Sequence, residues 1–149
     1  MSLHILPLHP LFATETLSGS AEAEVLPYES IPRSKQARRI EQRLDSVRTF
    51  LHSLARPDDL SDPQFTSFIR YSQQFFVDID ERLWRKDEQG HHCLVIPQTR
   101  RIPIMIEAHE KTGHKGIWAT NSSIHERFWW PRIIDDVKWF ITTCHICQL

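Results

Sequence analysis

The sequence predicts a mainly helical chain with a small antiparallel β-sheet, an α+β fold. Three observations carry that expectation. Apolar residues recur at steps of three and four near 40–54, 102–109 and 133–144, the spacing of a helix face. Between Phe75 and Ile96 the period drops to two, the spacing of a strand face. Histidines and cysteines then gather at short spacings in the last third of the chain. With 149 residues, 40% of them hydrophobic, there is material for one domain and a modest core, or for a small domain with a tail.

Residues 1–32 read as a poorly ordered lead-in. They hold Glu15, Glu22, Glu24 and Glu29 but no lysine or arginine, with Pro7, Pro10, Pro27 and a Ser-Gly-Ser at 18–20 and no sustained period. A helical segment follows over 33–74. Ile40, Leu44, Val47, Leu51 and Leu54 share one stripe, Ser34 is placed to cap the helix and Arg56-Pro57 ends it. Arg33, Lys35, Arg38, Arg39, Arg43 and Arg48 make its solvated face. A second helix starts near Pro63, with Asp62 as its cap and Phe65, Phe68 and Ile69 on one side. Over 75–98 a β extension of two or three strands is expected: Phe75, Val77 and Ile79 alternate with polar residues, Leu83–Lys86 returns, and Cys93–Ile96 stops at Pro97.

The region 99–149 carries the chemistry. Ile102, Met105, Ile106 and His109 lie on one helix face, with Pro103 in the first turn, so His109 points inward. Gly113 lets the chain turn and bring His114 back beside it. A short helix over 120–128, capped by Thr120 or Asn121, presents Ile124 and Phe128. Trp129 and Trp130 read as core aromatics rather than base-stacking platforms. Pro131 starts a last helix whose face is Ile133, Ile134, Val137, Phe140, Ile141 and Cys144.

The chain then closes on Cys144-His-Ile-Cys147, a tight turn that aims two sulfurs at one ion. The full set is His109-x4-His114-x29-Cys144-x2-Cys147. Two thiolates balance the charge of Zn²⁺ and two neutral imidazoles complete a tetrahedral shell, so one structural zinc ion is expected. Four protein ligands leave no open position for catalysis. Redox chemistry is disfavoured because this Cys-x-x-Cys follows a helix instead of starting one. Cys93 with His91 and His92 is a rival cluster, but alternation along a strand points these neighbours to opposite faces. His145 would be a fifth donor to a filled shell, and His125 reads as a surface residue. Helix, loop, helix, turn, helix around zinc predicts a three-helix bundle with a helix-turn-helix element.

Composition narrows the function. Eighteen Lys+Arg against nineteen Asp+Glu give a net charge of −1, which argues against a nucleic-acid binder acting alone. No run approaches the ~18 apolar residues of a membrane span. The first residues lack a basic region, so secretion is not expected. Three cysteines cannot pair completely, which favours an intracellular, reducing setting over a disulfide framework.

The residues Ala108-His-Glu, Gly113-His-Lys-Gly116, Ala119-Thr120, Arg127-Phe-Trp-Trp-Pro131, Asp136-Val and Thr143-Cys-His-Ile-Cys-Gln148 resemble the zinc-binding domain of retroelement integrases. The flavour is that of gypsy-type long-terminal-repeat retrotransposons, fungal ones especially. The 75–98 stretch resembles the β extension that precedes this domain, and the helices 36–55 and 62–74 more weakly resemble the stretch upstream. The resemblance implies that His109, His114, Cys144 and Cys147 bind zinc, and that the module multimerises and engages the ends of the element's DNA. It implies partners in self-association or other integrase domains, weak DNA binding by this chain alone, no small-molecule substrate and a nuclear site of action. Strand transfer belongs to a separate ribonuclease-H-like domain expected beyond Leu149, so no enzyme activity is expected here; the chain reads as truncated before that core, a fragment, a truncated gene model or a remnant. Two further classes stay open: a host-retained protein–protein scaffold, and a helix-turn-helix protein reading DNA through 120–128.

Overall fold

A computed structural model describes residues 26–148. A short 3₁₀ turn over Tyr28–Ser30 leads into α1 (Lys35–Ser53) and α2 (Asp62–Ser72), then three strands, β1 (Phe75–Val77), β2 (Leu83–Arg85) and β3 (Cys93–Val95). The C-terminal region comprises α3 (Gln98–His109), α4 (Ile117–His125), β4 (Phe128–Trp129), α5 (Ile133–Thr143) and the four-residue α6 (His145–Gln148). The chain is thus mostly helical with one small sheet, as its patterning predicts.

The α1 helix forms for the reasons its sequence gives. The Ser34 hydroxyl accepts from the Ala37 amide at 3.1 Å, a cap that contributes about 1 kcal/mol. Leu44 and Val47 are buried, and Ile40 and Leu51 half-buried. Leu54, expected on the same stripe, instead ends the helix in a left-handed conformation (φ 54°) and stands 75% exposed. The cap of α2 is Ser61, one residue before the expected Asp62; the Gln64 side chain returns to the Ser61 amide at 2.9 Å.

The sheet is larger than expected and of mixed direction. Strands run in the order β1-β2-β3-β4, antiparallel for the first three, while β4 joins β3 in parallel. Ile79, placed on a strand by alternation, lies beyond β1 and is 97% exposed, because the chain turns at Asp78, whose carboxylate accepts from the amides of Asp80 and Arg82. Two residues of β4 are too few to register as alternation, and their pairing depends on β3, more than thirty positions away.

Two apolar clusters lie on either side of this sheet's chain. One joins Leu44, Val47, Phe68, Phe75, Leu83 and Val95. The other gathers Ile96, Ile102, Met105, Ile124, Trp130, Ile133 and Val137, and it takes in Tyr28 and Ile31. Residues 28–31 therefore depart from the poorly ordered lead-in expected over 1–32. The cause is polar: the Tyr28 hydroxyl donates to Asp136 at 2.7 Å, so a buried aromatic finds a buried acceptor. The rest of that expectation, for residues 1–25, lies outside the described residues.

Asp136 is a hub. One of its oxygens accepts from Tyr28, from Arg33 at 2.7 Å and from the Trp130 indole at 2.8 Å. Arg101 on α3, also buried, donates to the Tyr28 hydroxyl at 2.7 Å and pairs with Glu41 on α1 through both terminal nitrogens. A charge taken out of water must be paired and hydrogen-bonded; Asp136 and Arg101 are both, whereas Arg33 is hydrogen-bonded through one nitrogen and keeps Nε and Nη1 buried without a hydrogen-bond partner.

Candidate metal centre

Three helices converge on the C-terminal site: α3, α4 and α5 pack against one another, and α6 packs on α5. Their limits differ from the expected ones by a few residues. The α3 helix starts at Gln98, which puts Pro103 in its second turn on an exposed side. The α4 helix starts at Ile117 after Gly116, and α5 at Ile133 after Arg132, whose φ is 63°. Met105 and His109 are wholly buried on the inner face of α3, and Val137 on that of α5, as the stripes require.

The turn after α3 is made by two consecutive left-handed residues, Gly113 at φ 86° and His114 at φ 54°. Glycine adopts this conformation freely; histidine does so at a cost of about 1 kcal/mol. The His114 amide closes the turn on the His109 carbonyl at 2.8 Å. The strained residue is thereby brought ring to ring with His109, the centroids 5.0 Å apart and the planes at 89°.

His109, His114, Cys144 and Cys147 each offer one donor atom, all within 4.8 Å of one another, the one such His/Cys/carboxylate group among the described residues. The separations have a pattern. His109 Nε2 is 3.3 Å from His114 Nδ1 and 3.3 Å from Cys147 Sγ. His114 Nδ1 is 3.5 Å from Cys144 Sγ and 3.8 Å from Cys147 Sγ. A tetrahedral zinc ion with nitrogens at ~2.0 Å and sulfurs at ~2.3 Å has edges of roughly 3.3–3.8 Å between its ligands. Four of the six separations between donor atoms thus match the edges of a zinc-sized tetrahedron, where lone pairs facing each other would repel without a cation.

The tautomer of His109 is fixed from behind. Its Nδ1 lies 2.7 Å from the Lys115 carbonyl, so Nδ1 carries the proton and donates, leaving the Nε2 lone pair turned to the centre. That same carbonyl accepts from the Thr120 hydroxyl at 3.1 Å, and Thr120 is wholly buried. Thr120 is therefore an interior positioning residue in α4 and not the cap the sequence suggests. Its role has no sequence signal beyond its place in the Ala119-Thr120 motif.

The remaining sequence candidates stand elsewhere. Cys93 is half-buried on β3, its Sγ 3.4 Å from the His125 carbonyl, and burial pushes its thiol up from the usual range. His125 is an exposed residue, and partial loss of water around its ring, with the charge of Arg85, holds it below the usual imidazole range. His91 and His92 join neither Cys93 nor the centre in a ligand cluster among the described residues. Trp130 is wholly buried and Trp129 packs on Phe75 at 5.6 Å, so both tryptophans serve the core.

Residues 96–149 match the family model described as the integrase zinc binding domain. The wider chain is similar to retroelement proteins. It is 30% identical over 70 residues to the Pro-Pol polyprotein of feline foamy virus, a match covering 41% of this chain and 6% of that protein. It is 25% identical over 91 residues to the human gypsy retrotransposon integrase-like protein 1, covering 58% of this chain and 17% of that protein. The mouse protein of the same name is 26% identical over 91 residues, with 58% and 18% covered. The chain therefore spans under a fifth of the length of these relatives. No solved structure matches it.

Proposed function

We propose that residues 99–149 are the structural zinc module of a retroelement integrase-like protein, with 75–98 as its β extension and 33–74 as a helical segment upstream. One Zn²⁺ is held by His109, His114, Cys144 and Cys147, and it closes α3, α4 and α5 into a three-helix bundle with a helix-turn-helix element. The ion supplies structure, since all four positions are taken by protein. The observation that carries this reading is the gathering of four donor atoms at zinc-like separations, with His109 Nδ1 held by the Lys115 carbonyl.

The module contributes to multimerisation and to engagement of the element's DNA ends, inside the cell and in the nucleus. Support for assembly comes from apolar surface on the helices flanking the centre: Trp118 is 74% and Ile146 63% exposed. DNA engagement rests on the relatives. With a net charge of −1 the chain has little capacity to neutralise phosphates alone, and its contribution is made beside other integrase domains. No described helix is long and apolar enough to cross a membrane.

Metal analysis of the purified chain tests the reading. One zinc per chain is expected in the wild type, and loss of it in H109A and C144S. Zinc retained in both variants sinks the assignment. Light scattering with and without zinc, and DNA titrations at two salt concentrations, test the functional half. A chain that stays monomeric and binds no DNA even at low salt removes both proposed roles.

A further inference from the structure

The centre is unevenly shielded. His109 is buried, His114 and Cys144 are half-buried, and Cys147 is exposed. Cys147 sits on α6, a four-residue helix that packs on α5 and buries none of its own residues. Cys144 lies just before α6 with extended backbone (ψ 115°), outside either helix. The two sulfurs are within 4.8 Å of each other, so the ~2.05 Å of a disulfide needs only a small shift of a lightly held segment.

From this geometry we propose that the centre is a peroxide-sensitive zinc clasp, in which Cys144 and Cys147 are oxidised to a disulfide and the ion is released. The inference rests on the zinc reading above. In the first step the exposed Cys147 thiolate attacks one oxygen of a hydroperoxide; the O–O bond breaks, hydroxide leaves and the sulfur becomes a sulfenic acid. In the second the Cys144 thiolate attacks that sulfur, the S–O bond breaks, a second hydroxide leaves and the disulfide forms. Two thiolates have lost two electrons and the peroxide has gained them; the two hydroxides take up two protons as water. A zinc ion left with two imidazoles is no longer held in a closed shell.

The third thiol provides an internal control. Cys93 is away from the centre, half-buried on β3 with its Sγ 3.4 Å from the His125 carbonyl, and it has no second thiol beside it.

The zinc-loaded full chain is treated with hydrogen peroxide in the presence of a chromophoric zinc chelator, and thiols are counted alongside. Release of one zinc per chain is expected, with loss of two of the three thiols and a Cys144–Cys147 disulfide in the peptide map. C93S should release zinc at an unchanged rate, and a dithiol reductant with added zinc should restore the ion. Zinc retained under about tenfold excess peroxide, or a disulfide that includes Cys93, overturns the inference alone. A chain that carries no zinc before treatment overturns the metal-centre reading, and the clasp falls with it.

Discussion

The two apolar clusters reach closure by different means. The one around Leu44, Phe68 and Phe75 is built of apolar side chains, with edge-to-face contacts such as Phe50 on Phe68 at 5.4 Å, and the guanidinium groups of Arg43 and Arg56 lie over Tyr71 and Phe65 at its edge. The one around Trp130 has a polar hub at one end, Asp136, and the four-donor centre at the other. Beyond Thr143 little apolar surface is buried: none of the α6 residues is, and Ile146 stands 63% exposed. Burial holds one half; under the zinc reading proposed above, coordination fastens the last residues of the other. The two halves should therefore fail separately when the metal is removed.

Chelation is the sharpest way to break the comparison, and its effect should be the largest. Removing the ion is expected to cost several kcal/mol, since structural zinc binding is worth ~10 kcal/mol or more in small modules. Hydrogen exchange with and without chelator should show protection lost over 105–148 and kept over 40–70. Equal loss in both regions would mean that the clusters form one cooperative unit.

Breaking the polar hub should come next. Asp136→Asn removes the carboxylate that Arg33 meets at 2.7 Å and should destabilise by about 1–3 kcal/mol. It should also change the pH profile. Burial, outweighing Arg33 and the Trp130 indole, lifts the Asp136 carboxyl from 3.8 to about 6. The folded chain then holds a proton that the unfolded chain gives up, so this group's contribution falls as pH rises through that window. Urea titrations between the two values should show that slope in the wild type and not in D136N; an unchanged slope would assign it to other groups.

A smaller effect separates metal binding from packing. Thr120→Val keeps the volume in α4 but removes the hydroxyl on the Lys115 carbonyl, so zinc affinity should fall about tenfold. Competition with a metal chelator of known affinity measures it, and an affinity equal to wild type would show that the His109 contact suffices alone. The smallest effect should be that of Leu54→Ala. At 75% exposure this residue does not share the burial of its stripe, and thermal unfolding should move by no more than about 0.5 kcal/mol. A loss above ~1 kcal/mol would mean that Leu54 is covered in solution.

The same contrast decides what was legible in the sequence. The first three strands, the striped helices and the four donors could be read because each is a local pattern: a period of two, steps of three and four, a Cys-x-x-Cys. What escaped is non-local. Arg101 meets Glu41 across sixty positions and Tyr28 meets Asp136 across 108, and no periodicity encodes such a pairing. Tyr28 therefore looked like part of a structureless stretch, although it is 7% exposed. Thr120 escaped because a threonine near a helix start reads equally well as a cap. The cap of α4 is Gly116, a residue with no side chain to announce it.

The parallel pairing of β4 with β3 has a practical consequence for anyone dividing this chain. The Leu94 amide donates to the Arg127 carbonyl at 2.9 Å and the Ile96 amide to that of Trp129 at 3.0 Å. A cut at the sequence-defined edge of the zinc module, before residue 99, would take away the ribbon on which Phe128 and Trp129 are laid. The excised piece would keep all four metal donors yet present a bare strand edge, an invitation to stick to its own copies. The smallest portion that carries its own sheet begins upstream of Phe75, and the smallest that also carries its polar hub begins before Tyr28.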